Sequence, residues 1–419
     1  MERTPNAGNE EKRMKQIPGG VCAAKGFSAG GIHCGIRPNK TKKDLALIVS
    51  DVPCTAAGVF TTNLLKGEPV TLCQEHLKQG KIKAVICNSG IANTCNADGM
   101  EKAVQMAEIC AEAVGAQPGE ILVASTGVIG QKLPIEPIQA GMPDLLKSLK
   151  ATAEGSDDAE AAIMTTDTVP KSAAVSFTLQ GKNCSLGGIA KGSGMIHPNM
   201  ATMLVFLTTD AAVSSEMLKK ALSMDVRHTF NMTSVDGDTS TNDTCVILSS
   251  GLAGNPEITE ENDDFAVFMQ ALNTVTVSLC RQIAGDGEGA TKLLECRVCG
   301  AETEDTAKKL AKSVICSSLV KAAMFGEDAN WGRVLCALGY AGVMADVNKI
   351  DVTFASEKGE VMVCEMGSGV DFSEEKAAEV LSAKEIDILV TLRDGDASAV
   401  AWGCDLTYDY VKINGDYRT

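Results

Sequence analysis

Short runs of Val, Ile and Leu recur along the whole chain, with helix-like segments between them. DLALIVSD (44–51), KIKAVICNSG (81–90), EILVASTG (120–127), AAVSFTL (173–179), CSLGGIAKGSGMI (from 184), ATMLVFLTTD (201–210) and TCVILSSG (244–251) read as strands. Each is apolar and bounded by turn residues. DGMEKAVQMAEICAEAVGA (98–116) reads as a helix with a capping box at Asp98 and Glu101 and a stop at Gly115. A helix-like stretch over 154–171 breaks toward Pro170, and SSEMLKKALSMDV (214–226) is a serine-capped helix. Residues 263–298 suggest a long helix, a GDGEG turn and a strand. Residues 303–326 suggest a second long helix, with Leu310, Val314 and Leu319 on its apolar face. KIDVTFASEKGEVMV (349–363) suggests a hairpin, and EIDILVTLRDG and ASAVAWGCDL a later strand pair. No regular βαβ period runs through this alternation, so layered α/β packing is expected.

The 419 residues suffice for a large core or two to three domains, yet no Pro/Gly/Ser linker interrupts the middle. Aromatics are only 4%, so small and branched aliphatic side chains must fill the core. A net charge of -16 argues against nonspecific nucleic-acid binding, which needs a basic footprint. The polar start and the lack of a bilayer-length apolar run give the expectation of a soluble, cytoplasmic protein with no membrane partner. The 16 cysteines read as mostly reduced thiols. Cys296 and Cys299 form one isolated CxxC, and His33, His76, His197 and His228 make no zinc motif. The loop holding Asp236 and Asp238 is oxygen-rich but lacks calcium-loop spacing, and no metal is expected.

KGSGMIHPNMATMLVFLTTD (191–210) puts a glycine-rich turn directly before Thr202, near the middle of the chain. A threonine hydroxyl is a weak nucleophile and needs a base. If Ala201–Thr202 were cut, the new α-amine of Thr202 could serve, since its reference pKa is about 7.7–8.0. The uncut hydroxyl could make that cut by attacking the preceding carbonyl, giving an ester that water hydrolyses. On the residues alone, a second reading stands beside this one. Thr202 simply opens a β-strand, as β-branched residues often do.

The segment KGSGMIHPNMATML closely resembles the cleavage segment of the ornithine acetyltransferase family of arginine biosynthesis, also called bifunctional glutamate/ornithine acetyltransferases. The match continues in NSGIANTCNADG (88–99), ASTGVIG (124–130), TTDTVPK (165–171), SVDGDTSTNDT (234–244), AGDGEGATKLLE (284–295), FGEDANWGR (325–333) and the final AWGCDLTYDYVKINGDYRT (401–419). The resemblance implies the large layered α/β architecture of the DmpA/ArgJ-like type, autocleaved into two intertwined chains, 1–201 and 202–419. It implies that Thr202 takes an acetyl group from N-acetylornithine and gives it to glutamate. Thr126 and Gly127 then match the oxyanion site, Glu288 an active-site carboxylate, and Thr166, Lys191, Asn414 and Thr419 the substrate pocket. No cofactor is implied. Acetyl-CoA enters as an alternative donor, and two α and two β chains are expected to form a heterotetramer. The chain departs from the family at Ile91, where asparagine is frequent, and at Ala329, where proline is common. A self-processing amidohydrolase or aminopeptidase, or an amino-acid-binding protein without activity, are the competing expectations.

Overall fold

The computed structural model describes residues 14–197 and 203–416. Among them, nine strands build one sheet: β1 (Met14–Gln16), β2 (Phe27–Ile32), β3 (Leu45–Phe60), β4 (Ile82–Ile91), β5 (Ile121–Val128), β6 (Lys171–Leu179), β7 (Lys182–Lys191), β8 (Leu204–Thr209) and β9 (Thr244–Ser249). Their order is β1-β6-β7-β8-β9-β3-β4-β5, with β2 also paired to β3. Six more form a second sheet: β10 (Leu293–Ala301), β11 (Asp351–Ser356), β12 (Gly359–Glu365), β13 (Ser368–Gly369), β14 (Glu385–Thr391) and β15 (Ala397–Cys404).

The 16-residue β3 joins the halves of the larger sheet. Leu45–Val49 pairs with β4, and after a register shift Thr55–Phe60 pairs with β9. β8 and β9 run parallel, and β7 runs antiparallel to β8. Strands that follow residue 202 therefore lie between strands that precede it. Every residue of β8 and β9 is buried. Both faces of these strands are covered, which is why their sequences are continuous apolar runs and do not alternate.

The helix Asp263–Gly285 lies between the sheets and packs on β6 and β7 and on β10 and β15. Its Phe268 meets Phe177 of β6 edge to face, with ring centroids 6.4 Å apart. Burial of one such side chain contributes about 1.5–3 kcal/mol. The helix Ala153–Ile163 covers β2 and β3 on the opposite face. No helix among the described residues is long and apolar enough to cross a membrane.

Several local expectations need correction. The span 303–326 is two helices, Glu304–Cys316 and Ser318–Phe325, because Ser317 adopts extended backbone and caps the second through Val320 N–H. Leu310 and Val314 are buried as expected, whereas Leu319 is 58% exposed. The two late strands do not pair with each other, since β10 lies between β14 and β15. The expected hairpin of β11 and β12 does form, with Ser356 opposite Gly359. The helix Gly99–Val114 starts without an Asp98 side-chain cap and ends on a left-handed Gly115. Cys296 and Cys299, three apart on β10, point to opposite faces.

Glu160 on the helix Ala153–Ile163 is fully buried, and neither carboxyl oxygen finds a partner among the described residues. Burial pushes its pKa from an ordinary 4.5 up to about 8; Lys171 opposes this rise, and Asp157 and Asp167 add to it. Between those values the folded chain holds a proton that the unfolded chain has lost, so stability falls as pH rises through the window. Glu160→Gln is expected to flatten this dependence. The melting temperature of the parent should fall relative to the variant from about pH 5 to about pH 8, and parallel curves in calorimetry would refute the assignment.

Candidate active site

Several segment ends meet at one cavity of about 300 Å³. β5 delivers Thr126 and Gly127 at its C-terminal end, beside the end of β4. Gly127 has φ 132° and lies opposite Gly90, and a Cβ there would collide with the Gly90 carbonyl. Only glycine fits that approach. β7 ends at Lys191 and runs into the Gly192–Gly194 turn. Glu288 sits in the turn after the helix Asp263–Gly285, Thr166 in the loop before β6, and Asn414 on the helix Tyr408–Gly415. Thr126, Gly127, Thr166, Lys191, Glu288 and Asn414 all line the cavity. Ala201, Thr202 and Thr419 lie outside the described residues.

One buried ammonium ties three of these segments together. Lys171 Nζ lies 2.8 Å from Asp167 Oδ1 and 2.6 Å from Asp286 Oδ2, and all three side chains are buried. Asp167 also accepts the N–H groups of Gly192 at 2.7 Å and Thr165 at 2.9 Å. Asp286 accepts the Thr168 N–H at 3.0 Å, and its carbonyl takes the Ser193 hydroxyl at 2.7 Å. Burial alone would raise the Asp167 pKa. The Lys191 and Lys171 charges, with the hydrogen bonds, outweigh it and hold the carboxyl below the usual range. Asp167 is thus ionised, and the cluster fixes the Thr166 loop, the Lys191 turn and the Glu288 turn relative to one another.

Glu288 is 7% exposed, so the expectation of an active-site carboxylate meets a buried group and not a solvated turn residue. Its Oε2 accepts the Asn414 amide at 2.8 Å, and its N–H donates to Ser193 O at 3.0 Å. Gly194 lies so close that a Cβ there would overlap the Glu288 carboxylate. Asp236 holds the next two residues, accepting Met195 N–H at 2.6 Å and Ile196 N–H at 2.9 Å. Met195 has φ 57°, a costly conformation for a non-glycine residue. Asp236 therefore holds this turn through its carboxylate.

Met203, which follows Thr202 in the chain, lines a small adjoining space of about 20 Å³ with Thr126, Lys191 and Asp243. Its carbonyl accepts Thr244 N–H at 2.8 Å. Burial pushes the Asp243 carboxyl well above its ordinary pKa, although Ser240 and Lys191 oppose the rise. His197 Nδ1 lies 3.1 Å from Ser234 Oγ and 3.6 Å from Cys316 Sγ. Burial, aided by Lys312, lowers its pKa to about 4, so the ring is neutral at pH 7.

A sequence profile described as the ArgJ family matches residues 28–419. The chain belongs to the ArgJ family. It is 51% identical over 408 residues to the arginine biosynthesis bifunctional protein ArgJ of Symbiobacterium thermophilum, covering 97% of this chain and 100% of that one. It is 50% identical over 407 residues to the same-named protein of Caldanaerobacter subterraneus subsp. tengcongensis, with the same coverage of 97% and 100%. Among solved structures, that of Bacillus halodurans argJ aligns with 45% identity and a TM-score of 0.47, over 50% of this chain and 96% of that one. This ArgJ-family chain is an enzyme, an acetyltransferase of the ornithine and glutamate type in arginine biosynthesis.

Sequence reading singled out neither Asp167, Lys171 and Asp286 nor Asn242 as site-building residues. Asn242 Nδ2 donates to Ala92 O at 2.6 Å and Ser125 O at 2.9 Å, bracing the end of β5. The aspartates and Lys171 stand inside two quoted motifs, but Lys171 and Asp286 are 115 positions apart. Removing the ammonium leaves two buried carboxylates facing each other. Lys171→Met is expected to lose about 3–5 kcal/mol of stability, read by denaturant unfolding, and a loss below about 1 kcal/mol would show that the cluster does not hold the loops.

Proposed function

We propose that the chain cuts itself between Ala201 and Thr202, and that Thr202 then carries acetyl from N-acetylornithine to glutamate. The freed Thr202 amine takes the proton of its own hydroxyl. The hydroxyl oxygen attacks the acetyl carbonyl, and the Thr126 hydroxyl and Gly127 N–H meet the tetrahedral oxyanion. Collapse breaks the acetyl C–N bond, and the proton leaves with the ornithine amine. The glutamate amine next attacks the acetyl-threonine ester, the Thr202 oxygen departs and regains a proton, and N-acetylglutamate is released. Lys191 pairs with a substrate carboxylate as a point charge. Glu288, steadied by Asn414, faces the cationic amine, Thr166 orients a polar group, and Thr419 completes the pocket.

The observation that carries this reading is the convergence of Thr126, Gly127, Thr166, Lys191, Glu288 and Asn414 on one cavity. The strand order supports it too. Fragments 1–201 and 202–419 would share a sheet, with β8 and β9 held between β7 and β3, so a cut need not separate them. Two copies of each fragment form the assembled enzyme, and acetyl-CoA serves as a second donor.

Intact mass analysis of the purified protein should give two fragments that meet between Ala201 and Thr202, and Thr202→Ala a single uncut chain without transfer. An uncut, fully active parent would sink the mechanism. Thr126→Val should lower kcat by about 10²–10³ if its hydroxyl meets the oxyanion. Acetate release in place of N-acetylglutamate, followed by chromatography, would instead point to a hydrolase.

A further inference from the structure

The loop 234–244 touches the chain on both sides of the proposed cut. His197 and Met203 are the described residues nearest Ala201 and Thr202 on either side. Upstream, the backbone of Met195, Ile196 and His197 is gripped in succession. Asp236 Oδ2 accepts Met195 N–H at 2.6 Å, and its Oδ1 accepts Ile196 N–H at 2.9 Å. The Ile196 carbonyl accepts Val235 N–H at 2.7 Å, and the His197 carbonyl accepts the Thr239 hydroxyl at 2.8 Å. Downstream, Thr244 N–H holds the Met203 carbonyl at 2.8 Å, just before Leu204 pairs with Thr244 in the sheet. The loop is itself braced by the segment after β3. The Thr61 hydroxyl donates to Ser240 O at 2.7 Å, Asn63 Nδ2 to Thr239 O at 3.0 Å and Gly67 N–H to Thr241 O at 2.9 Å.

Attack of a hydroxyl on the carbonyl just before it asks for a backbone arrangement that an unrestrained turn visits rarely. One braced loop that grips both flanks narrows that search, whereas a grip on one flank leaves the other free to swing. The upstream grip also works against a local preference. Met195 stands at φ 57°, and the N–H bonds to Asp236 hold it there. We propose that Asp236 is a positioning residue for self-cleavage. It holds residues 195–197 in the arrangement from which the Thr202 hydroxyl reaches the Ala201 carbonyl, Thr239 supplies a second grip, and the Thr244 N–H fixes the far side. The assignment rests on the Thr202 reading. Asp236 takes no part in bond making. The Thr202 oxygen bonds to the Ala201 carbonyl carbon, the C–N bond breaks, and the hydroxyl proton goes to the departing amine. Water then splits the ester, giving the Ala201 carboxylic acid and restoring the hydroxyl.

The test makes the full-length chain by cell-free synthesis, stops synthesis, and follows loss of the uncut band by denaturing electrophoresis. Asp236→Ala should slow the cut by roughly 10²-fold. Asp236→Asn keeps one acceptor oxygen and should fall between that variant and the parent. Thr239→Val deletes the bond to His197 and should slow the cut by about threefold to tenfold. Adding Met195→Gly to Asp236→Ala should recover about fivefold or more, because glycine takes a positive φ without help. Each variant is also made with Thr202→Ala, and the melting temperature of that uncut chain reports whether it folds. A folded Asp236→Ala chain that cuts at the parent's rate overturns the assignment and leaves the Thr202 reading standing. Should Asp236→Ala not fold, Asp236→Asn and Thr239→Val decide, and parental rates in both overturn it. Slowing that only tracks a fall in melting temperature, with no recovery from Met195→Gly, overturns it as well. A parent that never cuts overturns both.

Discussion

Lys171 carries its charge in a dry interior, between Asp167 and Asp286. A lone ammonium there would be strongly disfavoured, and so would either carboxylate. The ammonium is tolerable because both carboxylates stand within hydrogen-bond reach of it, and each carboxylate because the ammonium does, so the loops that bear them have little freedom to drift apart. Those loops carry Thr166 and Glu288, and the Asp167 carboxylate also takes the N–H of Gly192, one residue past Lys191. The positions of the Thr166 loop, the Lys191 turn and the Glu288 turn around the cavity are thus consequences of one buried charge cluster.

Glycine does the complementary work of letting backbone come close. Gly127 lies against Gly90, and Gly194 lies under the Glu288 carboxylate. A side chain at either point would push the walls of the cavity apart. The cluster pulls these segments in while the glycines leave room for the approach, and the result is a space of amino-acid size with a wider, basic-rimmed space beside it.

The path of the chain bears on chemistry as well. β8 and β9 enter the middle of a sheet whose other strands precede them in sequence. Their backbone groups are paired on both sides and their side chains covered on both faces. Such a sheet retains its fragments by the same hydrogen bonds and apolar contacts whether or not the covalent link between them persists. Upstream, the Asp236 carboxylate pins Met195 in a left-handed conformation just ahead of His197.

Much of the fold is legible in the sequence. Runs such as EILVASTG and TCVILSSG announced β5 and β9, because buried strands must be apolar and turns must punctuate them. Ser214 announced its helix through a local bond to Met217 N–H. The identities of Thr126, Gly127, Lys191 and Glu288 came from motif resemblance, which is itself a property of sequence. Two expectations failed for different reasons, one a local cap and the other a long-range pairing. Ser317 split an apparently continuous helix, and β10 separated two strands that adjoin in sequence. The sequence by itself determined the secondary elements and the chemical groups available, because those follow from neighbours a few residues apart. Only the tertiary structure decided that Lys171 meets Asp286, that six dispersed residues face one cavity, and that a basic loop borders a second. Those pairings bring together side chains more than a hundred positions apart, and no periodicity along the chain encodes them.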